Sequence, residues 1–330
     1  MSGDSLRLDE SALGRPCDEV HVYAPARLHL GFLDPTGHLG RRFGSIGVAI
    51  EEIGTELKVS KALSFKITGQ GSERVGEKAK SLLDKLQVPD RVHIHLAAQI
   101  PAHCGLGSGT QLALSLGVAL ARLWGKTLDV RQIAWLTGRG KRSGVGIAAF
   151  EGGGFVVDGG RGEGTKTPPC LARLYVPESW RWLLIFDERC QGLSGQRETQ
   201  AFLKLPSFSR ATSAELCYQL LSVGLPALAE ERFVDFCACL AKIQQANGEY
   251  FASAQNGVYL SPKVAEVLAW LKCQGWSGLG QSSWGPTGFC LLPDPQTARQ
   301  VEGELKTRFE DSLGLRFKVV RSRNRGATVW

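Results

Sequence analysis

Residues Ile100–Leu114 read IPAHCGLGSGTQLAL. Gly105, Gly107 and Gly109 stand at alternate positions and run straight into an apolar segment. Glycine gives up more conformational freedom on ordering than any other residue, so three in close order imply an unusual backbone shape or a close approach that a side chain would block. The preceding segment, RVHIHLAAQIP, alternates like a strand, and the following one, QLALSLGVALARLWG, reads as a largely buried helix. A strand, a glycine-rich loop and a helix leave several N–H groups unpaired at a helix N-terminus, where the helix dipole favours an anion. Ser108 and Thr110 add hydroxyl donors there. The stretch therefore reads as a phosphate or diphosphate cradle, with close packing of backbone on backbone as the plain alternative.

Working outward, VHVYAPARLHLGFL, GSIGVAIE and TELKVSKALSFKITG read as strands before the cradle, and VGEKAKSLLDKLQV as a helix. After it come a second helix, DVRQIAWLTGRG, and apolar pieces punctuated by glycine in SGVGIAAFEGGGFVVDGG. GRGEGTKTPPC has the composition of a linker or hairpin tip. RWLLIFDE reads as a strand that opens a second half, with helical stretches over residues 213–244 and 261–275 and strands at GFCLLP and RFKVVRSR. Strands mixed with helices, without strict alternation, indicate an α+β protein with two layers per domain. The expected division is an extension over residues 1–19, a first domain over 20–175 and a second over 176–330.

The totals narrow the function. A chain of 330 residues with 43% hydrophobic content buries a sizeable core. The N-terminal residues are acidic where a secretory signal needs an apolar run, and no stretch is apolar for long enough to span a bilayer, so a cytoplasmic protein is expected. Nine cysteines without a CxxC pair fit reduced thiols rather than a disulfide framework or a zinc site. A net charge of +7 points to a polyanionic partner, either nucleic acid or a small phosphorylated substrate. A Walker A loop is excluded because its nearest match ends GTKT, with the lysine displaced by one residue, and the dinucleotide fingerprint lacks its third glycine spacing.

PAHCGLGSGTQLAL is similar to the phosphate loop and helix of the GHMP kinase superfamily. PARLHLGFLD (Pro25–Asp34) and GQSSWGPTGFCLL (Gly280–Leu292) stand where that superfamily has its N-terminal strand motif and its C-terminal glycine-rich motif. The resemblance implies a GHMP-kinase-like two-domain fold, with an N-terminal domain like domain 2 of ribosomal protein S5 and a ferredoxin-like C-terminal domain. One element departs. Where such kinases carry SGxD, with the aspartate beside the attacking hydroxyl, this chain has Ser143, Gly144, Val145 and Gly146, and a glycine accepts no proton. Together with the GxxSIGVAIE strand, the SGVGIAAFEGGGFVVDGG segment, the GLSGQRE turn and the QSSWGPT block, this departure resembles the β-ribofuranosylaminobenzene 5'-phosphate synthase branch. That branch implies condensation of 4-aminobenzoate with phosphoribosyl diphosphate (PRPP), release of CO2 and diphosphate, a place in tetrahydromethanopterin biosynthesis, Mg2+ on the diphosphate, and a homodimer.

Gly105, Leu106, Gly107, Ser108, Gly109, Thr110 and Ser143 are then expected to bind a phosphate group of PRPP. Arg27 and His29 share a strand face, because Leu28 and Leu30 point the other way, and are expected to be catalytic, with a solvated strand face as the alternative. Asp34 is assigned as a metal ligand or oxocarbenium stabiliser, although an Asp before Pro35 is also an ordinary turn former. Ser282, Ser283 and Trp284 are assigned to the benzoate ring and its substituents, with a core tryptophan as the alternative for Trp284. Arg41 and Arg42 would steer anions or simply face solvent. His93 and His95 share a face but lack a third ligand, and His103 and Cys104 are pocket wall. Two rivals stand beside the synthase: an ATP-dependent kinase using Glu151 or Asp158 as base, and a basic RNA-binding module, for which no RNP motif or aromatic platform is present.

Overall fold

The computed structural model describes residues 17–72, 75–192, 200–202 and 205–330. Its first sheet is built on two long antiparallel strands, β1 (Glu19–Asp34) and β2 (Gly44–Lys61). β2 joins the expected strand GSIGVAIE to the first half of the expected strand TELKVSKALSFKITG, because its backbone bulges opposite Pro25/Ala26 instead of turning, while the rest of that second segment breaks after Lys61 and resumes as the next strand. β3 (Lys66–Gly69) and β4 (Val92–Ala98) extend one edge, and β5 (Phe155–Asp158) and β6 (Cys170–Leu174) form a hairpin paired to β2. The segment expected as a linker or hairpin tip, residues 160–170, is that hairpin's tip up to residue 169, with Cys170 already in β6.

Four helices cover this sheet: α1 (Gly76–Leu86), α2 (Ser108–Leu123), α3 (Val130–Leu136) and α4 (Val145–Gly152). α2 is buried along most of its length, as its Ala/Leu composition dictates. A capping box of Asp129 and Gln132 starts α3.

The second sheet is antiparallel, in the order β10 (Leu315–Arg321), β7 (Arg181–Asp187), β9 (Gly288–Leu292), β8 (Leu279–Gln281), which is the ferredoxin-like arrangement. Between β7 and β8 lie α5 (Arg210–Gln219), a π-turn (Leu220–Gly224), α6 (Leu225–Ala229), α7 (Phe233–Gln255) and α8 (Pro262–Cys273). A further helix, α9 (Pro295–Arg308), has no counterpart among the sequence expectations. Only Ala298, Val301 and Leu305 of it are buried, too narrow an apolar stripe to stand out in a polar segment, and Asp294 caps it through the amides of Gln296 and Thr297.

The two halves are not separate bodies of core. One apolar cluster joins Leu28, Leu30, Val48 and Phe155 of the first sheet to Trp182, Leu184, Phe236 and Phe289 of the second half. β11 (Thr328–Val329) returns to pair with β1, and Trp330 stacks on His21. No helix among the described residues is long and apolar enough to cross a membrane.

Candidate active site

The glycine loop is held between β1 and the turn that follows β8. Arg27 donates its backbone N–H to Leu106 O (3.2 Å) and a guanidinium N–H to Gly105 O. The Ser282 hydroxyl donates to the same carbonyl (2.8 Å) while accepting from His29 N (3.0 Å), and Ser283 N donates to His29 O (3.3 Å). Each glycine of the opening stretch now has a cause. Gly105 has φ +77, and a Cβ there would strike Ser282 O and the backbone of Gly285. Gly107 caps α2 with φ +84, and its missing side chain is replaced by Arg27, whose Cγ and Nε would stand 3.3 Å from a Cβ. A Cβ on Gly109 would meet Arg139 Nη1 at 3.4 Å. Backbone packing explains the first position, and two guanidinium groups flank the other two.

This arrangement makes the start of α2 strongly electropositive. The first N–H groups of a helix have no intrahelical acceptor, and Ser108, Gly109 and Thr110 are only half-buried. Arg27 comes from the neighbouring strand and Arg139 from the segment after α3, where burial pulls the Arg139 pKa down. The region can hold an oxyanion by backbone amides, hydroxyls and charge.

α4 begins beside it. Gly144 N donates to Asp158 Oδ2 (3.0 Å), the Ser143 hydroxyl donates to the same oxygen (3.0 Å), Ser45 Oγ contacts it too, and Gly160 N donates to Oδ1 (2.8 Å). Burial pushes the Asp158 carboxyl up to about 6 despite these donors. Asp158 is 1% exposed, so it pins the start of α4 and presents no free oxygen to a substrate hydroxyl. Gly146, at the position of the kinase aspartate, packs against Thr110: a Cβ would lie 3.1 Å from Thr110 Cγ2. The kinase base is missing, and Thr110 occupies the space in front of its position.

Several assigned residues are corrected. The Asp34 carboxylate accepts from Thr36 N (3.1 Å), Gly37 N (2.7 Å) and His38 N (2.9 Å), which makes it the cap of a turn rather than a catalytic group. It also lies roughly 20 Å along β1 from Arg27. His29 shares the strand with Arg27, yet its ring is buried against Phe32, 3% exposed, with its pKa pushed down to about 3 by burial and then by Arg27, so it is neutral and faces the core. Trp284 is a core residue packed on Phe251 (4.7 Å between ring centroids) and Phe202 (5.2 Å), not a platform for the benzoate. Leu106 and Ser282 are fully enclosed and serve the site by holding the loop. The Ser143 hydroxyl is engaged with Asp158 and accepts from Val145 N (3.1 Å). Ser283, half-buried at φ +56, stays at the site's edge.

Arg41 donates to Gly159 O (2.9 Å) and Gly160 O (3.0 Å), and Arg42 packs over Phe43, so this pair braces a loop. His93 and His95 both contact Thr68 Oγ1, and among the described residues no group of three His, Cys, Asp or Glu side chains is placed to hold a metal. His103 and Cys104 precede the loop, with Gly192 N donating to His103 O (2.9 Å). Of the GLSGQRE turn, residues 193–198 lie outside the described residues. Arg139 escaped the sequence reading. Its signal was the run GRGKR directly before Ser143, which places three cations in four residues.

Comparison with known proteins places the fold. Residues 73–154 match the profile of the GHMP kinases N terminal domain, and residues 225–311 that of the GHMP kinases C terminal domain. Among solved structures, the fold is similar to Streptococcus pneumoniae phosphomevalonate kinase (TM-score 0.68, 14% identity, 93% of this chain and 100% of that one). It is likewise similar to Staphylococcus aureus mevalonate diphosphate decarboxylase (TM-score 0.65, 14% identity, 95% and 98%). Both halves of the GHMP kinase architecture are present. The β-ribofuranosylphenol 5'-phosphate synthase of Archaeoglobus fulgidus is 31% identical over 94% of this chain and 99% of its own length, and that of Methanothermobacter thermautotrophicus 28% identical over 94% and 98%. The chain belongs to the GHMP kinase superfamily, in the branch of these synthases.

Proposed function

We propose that the chain is a decarboxylating phosphoribosyltransferase of this branch, joining PRPP to a para-substituted benzoate and releasing CO2 and diphosphate. The carrying observation is the pairing of an intact anion cradle with a start of α4 that offers no base: Gly146 lies against Thr110, and Asp158 is pinned. The bookkeeping of the reaction matches that pairing. The bond from ribosyl C1 to diphosphate breaks with its electron pair on the diphosphate. The ring carbon bearing the carboxylate bonds to C1, and the bond to CO2 then breaks to restore the aromatic ring. No proton has to be taken from either reactant for the bond to C1 to form, so no alkoxide has to be made, and the diphosphate that leaves takes up a proton from water at neutral pH. What the site must do is stabilise the departing negative charge and hold the two reactants face to face.

Arg27, the hydroxyls of Ser108 and Thr110, and the amides opening α2 supply the charge stabilisation. Mg2+, which the resemblance implies, usually takes one or two protein carboxylates besides phosphate oxygens. Asp34 and Asp158 do not fit that need, since both are engaged in holding backbone.

The test is to incubate the protein with PRPP, Mg2+ and carboxyl-labelled 4-hydroxybenzoate or 4-aminobenzoate and to count label released as gas. The relatives' name refers to a phenol product, so the hydroxy acid is the first arm. Release of label supports the reading. Turnover of ATP to ADP with small alcohols, without release of label, would replace it with a kinase.

A further inference from the structure

We infer that Arg139, with the cavity beside it, holds a second anionic group of the substrate, so that a doubly phosphorylated ligand is bound at two adjoining places rather than in the glycine loop alone. The cavity measures about 100 Å3 and lies between α1 and α2. Lys78, Ser81 and Lys85 come to it from one face of α1, and Thr137 and Arg139 from the segment after α3. Its lining holds three cations and two hydroxyls and, among the described residues, no carboxylate.

Arg139 is the decisive member. It is half-buried, and its Nε is enclosed without an acceptor. A guanidinium N–H that gives up water without gaining an acceptor is costly, and an anion delivered by a ligand removes that cost at Nε. Its position is also fixed. Arg139 N donates to Ala134 O (2.7 Å), and it is bracketed by Gly138 (φ +65) and Gly140 (φ +75), turns that a side chain would strain. The guanidinium reaches from the cavity to the first turn of α2 at Gly109, while Arg27 lies on Gly107. Two guanidiniums over successive glycines, with lysines beyond the second, suit a ligand carrying separated phosphate groups. Lys85 Nζ also donates to Leu136 O (2.9 Å), which holds that side chain beside Thr137 and Arg139.

The identity of the substrate as PRPP rests on the proposed function, but the anion site does not. The experiment is calorimetric titration of the full chain with inorganic diphosphate, followed by synthase kinetics. Arg139→Met is expected to weaken diphosphate binding at least about tenfold and to raise the KM for PRPP similarly, with the KM for the benzoate unchanged, while Arg139→Lys recovers part of the loss. Should Arg139→Met fail to fold, the double change Lys78→Met and Lys85→Met, at two exposed positions, reports on the same cavity and is expected to weaken binding about threefold or more. Binding within twofold of the wild type in these variants would overturn the inference. A wild type that releases labelled CO2 while Arg139→Met keeps its KM for PRPP defeats this inference and leaves the synthase reading standing. Arg139-dependent binding in a protein that releases no CO2 does the reverse.

Discussion

Gly105 is the most crowded of the loop's three glycines, because the carbonyl of Ser282 fills the place of its side chain. Gly105→Ala is expected to lower stability by more than about 2 kcal/mol, since both the positive φ and a backbone collision oppose it; thermal unfolding measures this. Gly107→Val meets a side chain, Arg27, rather than backbone. It should abolish binding of PRPP, with a cost in stability from the positive φ (+84) that thermal unfolding also measures, and full activity in that variant would remove the loop from the site. His29 and Asp158 give the protein opposite pH responses. The pKa of His29 is depressed to about 3, so its contribution is complete above pH ~6.5 and is lost as pH falls below it. That of Asp158 is raised to about 6, so its contribution is complete below pH ~4 and is lost as pH rises through 6. Denaturant midpoints between pH 4 and 7 should fall less steeply toward acid in His29→Gln than in the wild type, by a few kcal/mol at most. An identical slope in the two proteins would show that His29 is not buried neutral. The spacing of Arg27 and His29 along β1 was legible in the sequence. The inward turn of the His29 ring was not, because it depends on α7 packing against the strand.

At the scale of single elements, the turn after β1 tests the reassignment of Asp34. Asp34→Ala removes an acceptor of three backbone N–H groups and should lower stability by about 1–2 kcal/mol. Its kcat should stay within a few-fold of the wild type. A fall of about a thousandfold in kcat with an unchanged melting temperature would instead restore the catalytic role. The glycine loop and α2 were readable because local rules govern them: alternation before the loop, glycine within it and an apolar run after it. α9 was not, since its three buried residues become a stripe only once the second sheet lies beneath them.

Across the whole molecule, the shared core and the returning β11 tie the two halves together. A single cooperative unfolding transition is expected in calorimetry, and residues 1–175 expressed alone should not show it, because that fragment exposes one side of the shared cluster and lacks β11. Two resolved transitions would contradict this. The site is a product of the same closure, since Ser282 is 177 residues from the carbonyl it holds.

What the chain's own order of residues determined was the class of fold and the chemistry lost from it: a strand, loop and helix that receive an anion, and a glycine where a kinase keeps its acid. The first is a segment whose amides and hydroxyls suit an anion, which is the proposal made above, and both are properties of short stretches in which backbone conformation and residue type act within a few positions of each other. Only the folded molecule decided which side chains do the work. It turned His29 and Trp284 into the core, tied Asp34 and Asp158 to backbone amides, and brought Arg139 to the loop. Burial and distance between remote segments set the charge and reach of each group, and neither is a function of sequence spacing.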